Sequence, residues 1–106
     1  MLALVPVAVA ALATQVGIAE REWSVSSYRE AVQRGRVTFN VHNYGEDPHD
    51  VAVKGPGGYR STASGPIRPG ADGSLRVRLD RPGTYTVYCT LPGHAARGMR
   101  ATIRVR

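Results

Sequence analysis

Apolar and polar residues alternate along much of this chain, a period-two pattern typical of β-strands that are buried on one face. The clearest example is residues 36–43, RVTFNVHN, in which the two valines that flank Phe39, together with Phe39 itself, share one side. Residues 74–80, SLRVRLD, and residues 100–106, RATIRVR, alternate in the same way. The pattern predicts a strand over each of these three segments.

Shorter segments add further strands. Residues 21–26 predict a first strand with Trp23 and Val25 on one face, whereas residues 28–34 are compatible with one turn of helix that ends before Gly35. Additional strands are expected at three places: residues 49–53, an edge strand near residues 59–64, and residues 84–89.

Turn residues separate these segments. The chain has 12 glycines and 7 prolines, and many of them fall in residues 54–73, which are expected to be mostly loop. Strands that recur at short intervals between such turns predict an all-β fold, an antiparallel β-sandwich of about seven to eight strands. Because 106 residues have room for one hydrophobic core, residues 14–106 are predicted to form a single domain.

The first residues differ in character from the rest. Residues 1–13, MLALVPVAVAALA, carry no charge and end in a small-x-small pattern, which resembles the apolar core and cleavage site of an export signal. The stretch has no basic start, and Pro6 interrupts an apolar run too short to span a bilayer. We therefore expect no membrane span and export to the periplasm or cell exterior, with an apolar first strand as the alternative.

The formal charge of +6 narrows the set of partners. Lys and Arg together number 14 against 8 acidic residues, but the basic residues stand singly and no nucleic-acid-binding motif accompanies them. The sequence therefore predicts no nucleic-acid partner. A solvated basic surface and an acidic protein partner both remain open.

The only cysteine lies in a short segment, YCTLPGHAARGM. A single thiol excludes an internal disulfide and a multi-thiolate zinc site. Cys89, His94 and Met99 follow one another at intervals of five, and Pro92-Gly93 provides a turn that lets the first two converge. Two sulfurs and one nitrogen favour copper over magnesium or calcium, and the thioether argues against zinc, which stays open.

A trigonal copper site needs a second imidazole. His42 lies on the outward side of the strand at residues 36–43. His49 follows the turn at residues 44–48 and begins a strand, so it can lie at the end of the sandwich near Cys89. His49 is therefore the preferred fourth candidate.

Two motifs carry a family resemblance, Asn43-x-Gly45-x-x-Pro48-His49 and Tyr88-Cys89-Thr90-x-Pro92-Gly93-His94-x4-Met99. Across residues 20–106 the chain resembles the cupredoxin family of small type 1 blue copper proteins, and the plastocyanin-like branch most. The resemblance implies a Greek-key sandwich with one copper ion that shuttles one electron between redox protein partners. It also implies that His49, Cys89 and His94 are equatorial ligands and Met99 the weak axial one.

Three neighbours of the ligands refine this hypothesis. Asp50 stands where many cupredoxins carry Asn or Ser; it either accepts a bond from Thr90 or lowers the redox potential through its charge. Tyr88 and Thr90 flank Cys89, whereas oxidases with such domains place a histidine there to reach a second copper. We therefore expect a monomeric carrier and no enzyme, with a copper chaperone or buffer as the alternative.

Two basic residues, Arg97 and Arg100, lie beside the apolar residues around His94 in the sequence. They favour an acidic protein partner.

Overall fold

Nine β-strands form two sheets in the computed structural model, which describes Leu4 and residues 12–106. The strands are β1 (Thr14–Arg21), β2 (Ser24–Ser27), β3 (Ala31–Val32), β4 (Gly35–Asn43), β5 (Ala52–Gly55), β6 (Tyr59–Arg60), β7 (Asp72–Leu79), β8 (Gly83–Tyr88) and β9 (Arg100–Val105). One 3₁₀ turn, Pro56–Gly58, precedes β6, and the described residues contain no α-helix. The predicted all-β sandwich is confirmed, with one more strand than the upper estimate.

The two sheets have the strand orders β2-β1-β4-β7 and β3-β9-β8-β5-β6. Five of the seven pairings are antiparallel, but β1 pairs with β4, and β3 with β9, in parallel. Strand β1 can pair with β4 in parallel because β3 lies in the other sheet, so the chain crosses over before it returns as β4 beside β1. The sandwich is thus mainly antiparallel, as predicted, with two parallel pairs in addition.

The first strands are the part of the fold that differs most from the sequence prediction. A turn at Glu22 and Trp23 divides the predicted strand at residues 21–26 into β1 and β2, and Trp23 packs half-buried against the core. Residues 28–34 form no helix, since Ala31–Val32 pairs with β9 instead. Strand β1 buries three successive residues near its end, Ile18 to Glu20, so it shows no clean alternation there.

The predicted export segment, residues 1–13, lies outside the described residues except for Leu4, Leu12 and Ala13. Over the part of the chain that the structure describes, no helix has the length and apolar character needed to cross a membrane.

One cluster of buried apolar side chains fills the space between the sheets. The inward faces predicted for residues 36–43 and 100–106 are confirmed, because Phe39 and Ile103 are fully buried with Val37, Val41 and Val105, and Ala101 is partly buried against the same cluster. On β7, Leu75 and Leu79 are buried, whereas Val77 is half-buried against the same cluster.

Strand register brings two loops to the same end of the sandwich. In the second sheet Ala52 pairs with Tyr88, and Tyr88 pairs with Arg100. These three residues therefore lie in one row across β5, β8 and β9. The segments 44–51 and 89–99 adjoin that row, so both leave the sheet at one end.

Ile103→Ala should lower the free energy of unfolding by about 2–5 kcal/mol, because it removes a fully buried side chain and leaves a cavity. The neighbouring Thr102 is exposed on the opposite face of β9, so Thr102→Ala should change the free energy by no more than about 0.5 kcal/mol. Urea titration of both variants measures the difference. Equal losses would contradict the assigned faces of β9.

Candidate metal centre

Three potential metal-binding atoms converge at this end of the sandwich. Nδ1 of His49 lies 3.2 Å from Nδ1 of His94, and that same His94 atom lies 3.5 Å from Sγ of Cys89. All three atoms are within 4.8 Å of one another. His49 and Cys89 are fully buried, whereas His94 is partly exposed. The structure thus brings together three of the four residues singled out from the sequence.

His49 is held by its own main chain. It forms an isolated bridge with Ile67: the N–H of His49 donates to the carbonyl of Ile67 at 3.1 Å, and the reverse bond measures 2.6 Å. The predicted strand at residues 49–53 therefore starts later, at Ala52, because His49 pairs with the loop before β7 rather than with β8.

Asn43 shapes the turn that leads to His49. Its buried side-chain amide donates to the carbonyls of Asp47 at 2.8 Å and Ile67 at 2.9 Å, and its Oδ1 accepts the N–H of Gly45 at 2.8 Å. One side chain thus satisfies three main-chain groups that the turn would otherwise leave without partners.

The second segment folds back on itself between Cys89 and Met99. The N–H of Cys89 donates to the carbonyl of Met99, and the N–H of Met99 donates to the carbonyl of His94, each at 3.1 Å. Gly93 and Gly98 have φ of +78° and +123°, values that strain other residues. Met99 is fully buried, at the start of β9. The regular spacing of five therefore corresponds to a closed loop whose ends are bonded together.

Asp50 joins the two segments. One oxygen of its buried carboxylate accepts the N–H of Thr90 at 2.6 Å, and the other accepts the Thr90 hydroxyl in a short hydrogen bond. Of the two roles considered for Asp50, the bond from Thr90 is present. It links the residue after His49 to the residue after Cys89.

Sequence reasoning missed two residues that contact the donor cluster, Glu22 and Trp23. Oε1 of Glu22 lies 3.0 Å from Nε2 of His49, and the Trp23 ring meets the His94 ring edge-on at a centroid separation of 5.0 Å. The Arg97 guanidinium lies over the Trp23 ring, 4.6 Å from the ring centroid. Assigning Trp23 to a strand hid this turn, and the pattern carried no other signal for it.

His42, the histidine not selected from the sequence, lies elsewhere. Its Nδ1 is 2.6 Å from Oδ1 of Asp72 on β7, and its ring packs against Tyr44. It is absent from the group of converging donor atoms.

Burial and hydrogen bonding shift the pKa values of two ionisable groups at the site in opposite directions. Burial raises the pKa of the Cys89 thiol to about 11, so a metal ion that binds there has to displace its proton. The N–H of Asp47, with that of Glu46, lowers the pKa of Glu22 to about 2 despite partial burial, so Glu22 is a carboxylate. The site thus has an anionic partner for His49 and a thiol that stays protonated near neutral pH until a metal binds.

The donor set fits copper. Two imidazole nitrogens and one thiolate are the ligands of trigonal blue-copper sites, whereas magnesium and calcium prefer oxygen. Residues 29–106 match the family model described as copper binding proteins, plastocyanin/azurin family. The chain belongs to the plastocyanin/azurin family of copper-binding proteins. The cluster of His49, Cys89, His94 and Met99 is thus a type 1 copper site, and the prediction of copper is confirmed.

Two relatives support the membership. The chain is 33% identical over 67 residues to the blue copper protein of Pisum sativum, which covers 62% of this chain and 35% of that protein. It is 44% identical over 39 residues to auracyanin-B of Chloroflexus aurantiacus. This matched segment covers 37% of this chain and 17% of that protein. The chain thus matches well under half the length of either relative.

Solved structures extend the likeness to the fold. Reduced auracyanin from Roseiflexus castenholzii superposes with a TM-score of 0.70 at 20% identity, covering 91% of this chain and 99% of that one. A multicopper oxidase superposes with a TM-score of 0.64 at 17% identity, but only 44% of that chain is covered. The expected cupredoxin fold is therefore confirmed.

Glu20 is an unusual buried group beside this copper site. Its side chain is fully buried on β1, and neither carboxyl oxygen has a hydrogen-bond partner among the described residues. Burial, together with the nearby charge of Asp50, raises the pKa of Glu20 to about 8. The folded protein therefore holds a proton that the unfolded chain releases above pH 4.5 or so.

Glu20→Gln should reduce the loss of stability on going from about pH 5 to pH 8. A raised pKa means that Glu20 lowers the free energy of unfolding as pH rises, by up to about 1.4 kcal/mol per pH unit. Urea titrations of copper-free protein at several pH values measure the slope without the pH dependence of metal binding. Glu30→Gln removes an exposed carboxyl and should behave as wild type. Equal slopes in wild type and Glu20→Gln would contradict the assignment.

Proposed function

We propose that this chain is a one-electron carrier between redox proteins. When bound, copper supplies the one-electron couple between Cu(II) and Cu(I). A donor protein loses one electron to the carrier, and an acceptor protein later gains it, so the carrier itself is unchanged after each cycle. The observation that carries the proposal is the position of His94, which shares the donor cluster with buried Cys89 and is itself partly exposed.

The ligand roles follow from the chemistry of the four side chains. His49, Cys89 and His94 offer two imidazole nitrogens and a thiolate as equatorial ligands. Met99 offers a soft thioether, the usual weak axial ligand of such sites, and its main chain bonds to both Cys89 and His94. Because these bonds tie Met99 to its fellow ligands, the loop positions all three together.

The residues around His94 suit a brief encounter with a partner. Leu91, Pro92, Ala95 and Ala96 are small or apolar and at least partly exposed. A redox partner therefore approaches the imidazole over a surface with little bound water to remove. Contacts between electron-transfer proteins are typically small and short-lived, which favours turnover.

Several observations favour a carrier over an enzyme. Tyr88 and Thr90 flank Cys89, so the histidine bridge to a second copper expected in multicopper oxidases is missing at those positions. The auracyanin structure is matched over nearly its whole length, whereas the multicopper oxidase is matched over less than half. We further propose that the protein acts as a monomer. We also propose that it is exported, because residues 1–13 resemble an export signal.

Cys89→Ser should abolish the intense blue absorbance of the copper-loaded protein, because thiolate-to-copper charge transfer needs the Cys89 sulfur. Copper titration followed by visible absorbance measures this. His42→Ala is the control and should keep the spectrum, since His42 bonds to Asp72 away from the cluster. A blue Cys89→Ser protein would refute the assignment. A wild type that binds copper with only weak colour would instead favour a chaperone or buffer.

Added salt should slow electron transfer to an acidic acceptor, because Arg97 and Arg100 attract it to the face around His94. Arg97 is held over Trp23, and Arg100 donates to the carbonyl of Ala95 at 2.6 Å, so both charges lie at the loop. The double variant Arg97→Glu/Arg100→Glu should react more slowly with that acceptor at low salt.

The matched control is Arg104→Glu/Arg106→Glu, which changes net charge equally at the other end of β9. Stopped-flow rates against ionic strength, with one acidic and one basic acceptor, separate local attraction from net charge. Equal rates for the two double variants would count against docking at the His94 face.

A further inference from the structure

The two-residue turn between β1 and β2 contacts both imidazoles of the copper site. Glu22 lies against His49 and Trp23 against His94. The turn also touches the loop that carries Cys89, because a Cβ on Gly98 would come within 2.7 Å of the Trp23 carbonyl oxygen. A segment that supplies no metal-binding atom to the cluster therefore packs against both imidazoles and against the loop between Cys89 and Met99.

The contact between Glu22 and His49 determines which ring nitrogen is free. The Glu22 carboxylate has only acceptor oxygens, so at 3.0 Å from Nε2 it requires that nitrogen to carry the proton. Nδ1 of His49 is then the unprotonated nitrogen, and it is Nδ1 that faces His94 at 3.2 Å. The hydrogen bond thus selects the tautomer whose lone pair points into the donor cluster.

The Glu22 carboxylate is itself held in place by the segment that leads to His49. It accepts the N–H of Asp47 at 2.6 Å and the N–H of Glu46 at 3.0 Å. Gly45 leaves room for it, because a Cβ at that position would overlap both carboxylate oxygens. Gly45 has no positive φ, so space rather than backbone conformation requires a glycine there. Three consecutive residues therefore form a cradle for one carboxylate.

We infer that Glu22 is a positioning residue that orients His49 and favours Cu(II) over Cu(I). The inference rests on the proposed role of His49 as a ligand. A carboxylate that accepts the outer N–H of a ligating histidine fixes the ring and makes its other nitrogen a stronger donor. The fixed negative charge also stabilises the ion of higher charge more. Both effects lower the reduction potential.

Three variants test this. Glu22→Gln keeps an acceptor for Nε2 of His49 but removes the charge, so the ratio of Cu(II) to Cu(I) affinity should fall about tenfold. For a one-electron couple this corresponds to a potential higher by about 59 mV. Gly45→Ala keeps every charge but pushes the carboxylate from its cradle, and should shift the potential in the same direction. Glu46→Gln keeps the main-chain N–H that Glu46 contributes to the cradle and removes only its exposed side-chain charge, so it should leave the potential near wild type.

The potential is measured by redox titration of the blue absorbance, with Cu(II) and Cu(I) affinities from competition with chelators. Thermal melting of each copper-free variant reports whether it folds. If Glu22→Gln does not fold, the potential of Gly45→Ala alone decides whether the inference holds. An unchanged potential in Glu22→Gln and Gly45→Ala overturns the inference, as do equal shifts in Glu22→Gln and Glu46→Gln. In those cases the wild type is still blue and the proposed function stands. A wild type without blue absorbance overturns both.

Discussion

The pairing of β8 with both β5 and β9 is the constraint on which the copper site depends. Ala52, Tyr88 and Arg100 lie in one row of the sheet, so the chain must leave that row on either side through segments 44–51 and 89–99. A slip of one residue in either pairing would turn alternate side chains to the wrong face. The core strengthens this register, because the inward residues of all three strands are buried in one cluster.

Polar groups then complete what strand pairing begins. Asn43 shapes the turn before His49, and Asp50 bonds to Thr90 across the two segments. Each buried polar group removed from water needs such a partner, or it destabilises the fold. Glu20 is the exception among the described residues, since it avoids part of this cost by keeping its proton. The end of the sandwich therefore combines an apolar core with hydrogen bonds that arrange the donor atoms.

The two imidazoles of the site have different surroundings, which is consistent with the proposed role as an electron carrier. His49 is fully buried and bonds to an anionic Glu22, whereas His94 is partly exposed and lies between Trp23 and an apolar surface. The buried side is where protein charge acts on the metal with least screening by water. The exposed side is the one on which the proposed redox partner would dock. A single turn, Glu22–Trp23, contacts both.

Sequence alone predicted those features that depend on local pattern. Residues 36–43 and 100–106 alternate because one face of each strand is buried, and the spacing of Cys89, His94 and Met99 is visible because one closed loop carries all three. Strand β1 was not predicted because it buries three successive residues, Ile18 to Glu20, where the alternation stops. The parallel pairs could not be predicted, because the relative direction of two neighbouring strands leaves no pattern in the local sequence. Glu22 lies 27 residues from His49, and only the packing of β1 beside β4 brings its carboxylate to that ring. Residue types and spacing determined which metal the chain can bind, whereas tertiary structure decided which groups surround the ligands, because those contacts form between segments distant in sequence.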